Sequence, residues 1–446
     1  MTARAGEAGT GGVLRIELRR SGAYLLGGLL AVLGAVLVVT SQAPLDPYGL
    51  WSSSWAAAMR VLSETSIVLG PLAAAGAAWT AGREGRRHLG ELLATTPRPV
   101  LARQQTTWAA IALGVVAGTL GVAGVLVAGI APGLSYSGGR WPLALLLAVL
   151  GVLACSAVGF AAGRLIRGRL VAPGVGVLLY VLNGYLGYLT GPSARLSPLA
   201  LVSQLPSQEG YELDGWSAAG AAIWLLAVTA TAVLLAGSRR LAALVPALLA
   251  AVSAAALVTT PATGDSPLWL QPDEQALEQV CTDDAPQVCV QRVHAGLLQD
   301  VTPPARELLA RVQDFLPVDR IAEVPYGQQA PPGTLAMADL QGRSRFLRPG
   351  MDHPGQVVDD TVSRLTSYMC EGPELDAAGQ QPYLTLDVAH ALLTGELLLS
   401  SADPTAVEAL ITRLEEDPAA ARAWMARFLP AAADCDVATL VDLARP

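Results

Sequence analysis

Residues 142–163 read PLALLLAVLGVLACSAVGFAAG, 22 consecutive positions without a charge. An α-helix rises 1.5 Å per residue, so about 20 apolar residues cover the ~30 Å hydrocarbon layer of a bilayer. The stretch shows no polar–apolar alternation and is therefore not a strand of a membrane barrel. Comparable runs recur at about 22–41, 62–82, 106–131, 170–190, 217–236 and 241–260. Seven such runs predict an all-α polytopic membrane domain over 22–260 with about seven transmembrane helices, preceded by a short N-terminal segment, 1–21. The second run is read from its firm core, Ser66 to Gly82, because Arg60 and Glu64 stand at its start.

The remainder of the chain is of another kind. Over all 446 residues, 52% are hydrophobic and 15% charged, against roughly 25% charge in an average soluble protein. That excludes a single soluble globular enzyme. The net charge of −8 conceals two opposite halves: residues 1–260 hold 17 Arg and 9 acidic residues, residues 261–446 hold 12 Arg and 28 acidic residues. An acidic soluble part repels phosphates, so nucleic-acid binding is disfavoured. All 29 basic residues are Arg. Without Lys there is neither a GxxxxGK[ST] phosphate loop nor a Schiff-base lysine, and ATP hydrolysis would have to come from another chain.

Arg placement sets the expected orientation. With a cytoplasmic N-terminus, the inside segments hold 14 Arg and the short outside segments only Arg60, Arg140 and Arg195. The expected protein is thus a multi-pass plasma-membrane protein whose odd number of crossings puts the acidic C-terminal part outside. The first run, although it follows a basic segment, is longer than a signal-peptide core and lacks a persuasive cleavage site. Gly237-Ser238-Arg239-Arg240 separates the last two runs, and two guanidiniums at mid-bilayer would cost several kcal/mol. A tight cytoplasmic hairpin is the better reading there.

Pro261, Gly264 and Pro267 mark a linker, 261–272, before an extracytoplasmic domain, 273–446. That domain reads as mainly α, with helical patterns at 302–315, 355–370, 385–400, 404–416, 418–429 and 436–444, and a small hairpin at Thr334–Phe346. Cys281, Cys289, Cys370 and Cys435 all lie in it. Four cysteines in an exported domain imply two disulfides with three possible connectivities, of which Cys281–Cys289 and Cys370–Cys435 are favoured. A metal site at Cys281, Cys289 and His294 is the rival, but the C-x7-C-x4-H spacing matches no tight zinc knuckle. Cys155, inside an apolar run, reads as a packing residue.

Catalytic signals are few. His88, His294, His353 and His390 form no HExxH, and no GxSxG occurs. The reading therefore assigns no catalytic residues, no metal and no cofactor to this chain. Within the membrane, Asn183 with Tyr180, Tyr185 and Tyr188 is the most polar patch on a run. An inter-helix hydrogen bond with interfacial aromatic anchors explains it; Tyr180 and Asn183 on a substrate path is the rival. Gly114, Gly118 and Gly121 make a flat face suited to close helix packing.

The segment after the second run reads GREGRRHLGELLATTPR, residues 82–98. Its first part suits a short amphipathic helix, with Leu89, Leu92 and Leu93 on one face, Arg83, Arg86 and Arg87 on the rest, and Pro97 as its stop. The stretch GPLAAAGAAWTAGREGRRHLGELLATTPRP resembles the segment after the second transmembrane helix of ABC-2-type permeases, where such a run forms a coupling helix that docks on the ATPase subunit. The matching positions are Glu84, Gly90, Glu91, Leu92, Leu93, Thr96 and Pro97, and the resemblance places them, with Arg83, Arg86 and Arg87, at an interface with a nucleotide-binding partner. It covers about 30 residues closely and the helix layout to 260 loosely, and it is similar to the family in neither its seventh span nor its large tail. What it implies is an ABC exporter permease subunit driven by a separate cytoplasmic P-loop ATPase that holds ATP and Mg, paired in the bilayer with a second permease copy or paralogue. The competing expectation is a membrane-anchored exported sensing or binding protein without transport activity.

Overall fold

The computed structural model describes residues 15–18, 22–40, 54–86, 100–189, 191–202, 209–237, 239–259, 270–324, 330–341, 343–345, 348–351, 353–366, 381–397 and 403–445. The chain divides into two units, 1–274 with 346–348, and 275–345 with 349–446.

Every apolar run of the first unit becomes a helix: α1 Ala23–Thr40, α2 Trp55–Ala81, α4 Val100–Ile130, α5 Trp141–Leu165, α6 Val171–Gly187, α7 Gly215–Ala236 and α8 Arg240–Thr259, with a one-turn helix α3, Arg83–Arg86, after α2. Six of them are long and apolar enough to cross a membrane; α6, with 17 residues, is shorter. Leu62, Leu69, Ile111, Leu126 and Phe160 are buried between helices, while Leu25, Val32, Val181, Leu244 and Val252 are exposed on the outside. Helices apolar on every side are built for lipid rather than water.

Small residues let the backbones meet. A Cβ added at Gly159 or Gly163 of α5 would stand 2.1 Å from Ala74 O or 2.2 Å from Ala78 O of α2. The Gly114–Gly118 face packs as its pattern predicts, and its neighbour is α1 of the same chain: added Cβ atoms would meet Ala23 O at 2.3 Å and Gly27 O at 2.6 Å. Helix α2 starts at Trp55, well before the expected position. The reason is that Arg60 and Glu64, which look like boundary charges, pair with each other one turn apart at 3.4 Å and so remain inside the helix.

Helix α6 is short because the chain turns back beside it. After the 3₁₀ stretch Gly191–Leu199, Leu201 and Val202 press into the bundle. Leu201 O would lie 2.3 Å from a Cβ on Gly151, near the middle of α5, and Val202 Cγ1 3.0 Å from one on Gly70. Non-helical backbone at that depth is tolerated only where protein covers it and satisfies its polar groups.

The expected linker ends earlier than its composition suggests. Its last residues form β2, Leu270–Pro272, antiparallel to β1, Tyr211–Leu213, so they belong to the first unit. Glu212 Oε1 receives Arg140 Nη2 at 2.9 Å and Gln271 Nε2 at 2.7 Å, and Tyr136 donates to Asp273 Oδ2 at 2.7 Å.

The second unit is mostly helical but not purely so. Strands β3 Gln279–Cys281, β4 Gln287–Gln291, β5 Arg320–Glu323 and β6 Thr334–Met337 form one sheet in that order, antiparallel between β3 and β4 and parallel thereafter. The expected hairpin at Thr334–Phe346 is therefore corrected: Thr334–Met337 pairs in parallel with β5, and strands of four residues carry too little alternation to announce their partner. Helices α9 Leu298–Val312, α10 Gln356–Thr366, α11 Gln381–Thr394, α12 Pro404–Glu416, α13 Pro418–Ala433 and α14 Val437–Leu443 enclose a core of Val288, Ile321, Leu309, Val388, Met425 and Phe428. The Asp-Pro starts explain why α12 begins where its pattern does. Asp403 and Asp417 accept hydrogen bonds from Ala406 N and Ala419 N, and the prolines occupy first-turn positions that need no N–H.

Candidate functional site: a charge cluster at the Arg-rich end of the bundle

Helix α2 ends at Ala81, and the chain turns at Gly82 into α3, whose side chains meet the ends of two other helices. Glu84 lies between them: its Oε2 is 2.5 Å from Arg164 Nη1 at the end of α5, and its Oε1 is 4.0 Å from Arg103 Nε at the start of α4. A second carboxylate, Glu17, is 3.4 Å from Arg83 Nη2 and accepts a hydrogen bond from Thr107 of α4 at 3.1 Å. These groups are roughly a fifth to a third exposed, so water screens the pairs less than on an open surface, while their partial desolvation opposes the gain. Arg86 folds back over Trp79, 4.1 Å from the ring centre, and donates to Trp79 O at 2.5 Å, a cation–π contact reinforced by a hydrogen bond. Two carboxylates among Arg83, Arg86, Arg103 and Arg164 leave the cluster cationic.

Of the residues expected at a partner interface, Arg83, Glu84 and Arg86 stand in this cluster. Arg87, Gly90, Glu91, Leu92, Leu93, Thr96 and Pro97 lie outside the described residues. Sequence reading missed all four partners: it counted Arg103 and Arg164 only as topology markers and gave Glu17 and Thr107 no role. The available signal was a carboxylate, Glu84, in a segment otherwise rich in Arg.

Tyr180 and Asn183 are not brought together. Tyr180 is exposed on the outer surface with Tyr185 and Tyr188, whereas Asn183 is buried. Asn183 Nδ2 donates to Leu179 O at 2.7 Å, and its Oδ1 accepts from Leu201 N at 2.7 Å and Val202 N at 3.3 Å. That amide supplies the partner that the inserted backbone needs.

In the second unit, Cys281 and Cys289 form a disulfide across directly opposed strand positions. Cys435 is disulfide-bonded, and Cys370, its expected partner, lies outside the described residues. Cys155 is a buried free thiol. His294 is not a cysteine-site ligand: its Nδ1 is 2.7 Å from Glu323 Oε1 in the core, and Glu323 also accepts Gln291 N at 2.9 Å and Leu340 N at 3.2 Å. Among the described residues no three His, Cys, Asp or Glu side chains converge in a way that could hold a metal ion. No family model matches the chain, and no curated protein or solved structure matches it.

Proposed function

We propose that this chain is the permease subunit of an ABC-type exporter, driven by a separate cytoplasmic ATPase that engages the segment at 83–97. In that reading the ATPase carries ATP and Mg, a second permease copy or paralogue completes the transporter, and the N-terminus is cytoplasmic with the acidic unit outside. The observation that supports it most is the ion-paired position of Glu84. A partner pressing on α3 would act on the ends of α4 and α5 through Arg103 and Arg164, and both helices pack along much of the bundle.

The test is affinity purification of the full chain from its native membrane in mild detergent, with mass spectrometry of what accompanies it. A P-loop ATPase in stoichiometric amount is expected, falling by about tenfold in the double variant Arg86→Glu, Arg87→Glu, consistent with lost charge-assisted contacts. Glu84→Gln should retain the ATPase but lose its stimulation. Good yields of the chain without any ATPase would refute the proposal and leave an anchored exported binding protein.

A further inference from the structure

Where α5 turns into α6, Arg164, Arg167 and Arg169 stand close together in the sequence, but their surroundings differ. Arg164 meets Glu84 at 2.5 Å. Arg167 and Arg169 are exposed, and neither has an ion-pair or hydrogen-bond partner among the described residues. Apolar side chains flank them: Leu165 and Ile166 before and Leu170 after are exposed, Leu170 by 82%. Bare leucine and isoleucine beside unpaired guanidiniums suit the boundary between lipid headgroups and hydrocarbon, where an Arg keeps its charge in the polar layer. The apolar surface continues along α6. Leu170, Gly174, Val177, Leu178 and Val181 follow the spacing of one helix face, all five are exposed, and a Cβ on Gly174 would meet nothing within 4 Å. At 1.5 Å per residue this face runs about 17 Å from the turn, close to one leaflet's half of the ~30 Å hydrocarbon layer.

Charge selects the occupant. A phosphodiester accepts paired N–H···O bonds from a guanidinium fork, and a negative headgroup offsets two cations that no carboxylate neutralises. A zwitterionic headgroup would bring a further cation to the same place. We propose that the α5–α6 turn and the adjoining face of α6 form a docking surface for one anionic phospholipid. Arg167 and Arg169 hold the headgroup phosphate, and one acyl chain lies along α6 over Gly174, where the missing side chain leaves a shallow notch beside Leu170 and Leu178. The surface requires only that the bundle lie in a bilayer, so loss of the ATPase interaction would leave it standing.

Native mass spectrometry of the full chain, released from a neutral detergent, tests this with phosphatidylglycerol as probe. Phosphatidylcholine with the same acyl chains and inorganic phosphate are the comparisons. The first phosphatidylglycerol should bind about tenfold more tightly than phosphatidylcholine, and Arg167→Gln and Arg169→Gln should each weaken it about fivefold, as loss of one cation from an anionic-lipid contact does. Gly174→Trp fills the notch and should weaken binding about threefold through lost chain contact. Inorganic phosphate should not displace the lipid. Joint replacement of the exposed Arg239 and Arg240, at the α7–α8 turn, by Gln should leave the affinity unchanged. Equal affinity for the two lipids overturns the proposal, as does undiminished binding when Arg167 and Arg169 are both Gln. An equal loss in the Arg239 and Arg240 variant means a diffuse attraction to charge, and displacement by inorganic phosphate means a free-anion site; both overturn it. Unchanged binding in Gly174→Trp removes the acyl-chain seat and overturns it too. If the Arg167 and Arg169 variant loses a co-purifying protein while phosphatidylglycerol binding persists, the turn is a protein contact and the proposal falls.

Discussion

Adding one methyl group at Gly163 probes the close backbone contact between α2 and α5. The new Cβ would stand 2.2 Å from Ala78 O and 2.8 Å from Ala78 C and Cα. These are backbone atoms, which cannot swing aside as a side-chain tip does, so α2 and α5 must separate or slide by about 1 Å to restore ordinary contact. Overpacking of this kind costs about 1–3 kcal/mol, partly offset by the ~1 kcal/mol that Ala gains over Gly in a helix. In a bilayer the loss is not recovered by hydrophobic burial, because van der Waals contact is what favours helix association there. Gly163→Ala should therefore be destabilised by up to about 2 kcal/mol, and adding Gly159→Ala should cost less than twice as much, since both act on one contact. Gly28→Ala and Gly174→Ala are the controls. Both glycines are helical with nothing within 4 Å of an added Cβ, so these variants should match the parent or exceed it by up to ~1 kcal/mol. The assay is thermal unfolding of the full chain in one detergent, followed by maleimide labelling of the buried Cys155 thiol, which also lies against Gly70 of α2. Equal midpoints for Gly163→Ala and Gly28→Ala would refute the backbone contact between α2 and α5.

Asn183→Leu preserves size but leaves the N–H groups of Leu201 and Val202 without their acceptor, at about 2–5 kcal/mol; an unchanged thermal midpoint and unchanged Cys155 labelling would contradict the role given to that amide. Asp214 caps α7, accepting Ser217 N at 2.8 Å, and this backbone hydrogen bond is the main cause holding its carboxyl below the usual value, despite an opposing contribution from desolvation. The folded value is thus lower than the unfolded one, so the carboxylate's contribution is present above about pH 4 and lost as pH falls through the folded value. Asp214→Ala should cost about 1 kcal/mol at pH 7 and progressively less on acidification below pH 4; an identical deficit at pH 7 and pH 3 would show that the cap is not acting through its charge.

What could be read locally was read well. The apolar runs, and the helical patterns at 404–416 and 418–429, depend on periodicities that a single segment contains, whereas the Asp403 and Asp417 caps that start those two helices were seen only in the structure. The start of α2 was misjudged for the same reason that the rest succeeded. Arg60 and Glu64 have the composition of a boundary, and only their pairing along the helix, with Arg60 buried by its neighbours, keeps them inside it.

Of the candidate site, the sequence marked Arg83, Glu84 and Arg86 but not the groups they meet. Glu84 and Arg164 are 80 residues apart, and nothing in either segment names the other among the many Arg residues at run ends. The same holds for Asn183, which looks like a polar patch until Leu201 and Val202 are seen to fold back onto it, and for Thr334–Met337, which can pair in parallel or as a hairpin equally well by pattern. By itself the sequence determined which segments of the first unit form apolar helices and how charge divides the chain, because backbone geometry and apolar run length are local. Only the tertiary structure decided which carboxylate meets which guanidinium, which glycine faces which helix and which donors remain unpaired. Those outcomes depend on the mutual approach of segments far apart in the chain, where many partners have the same chemistry and packing alone selects one.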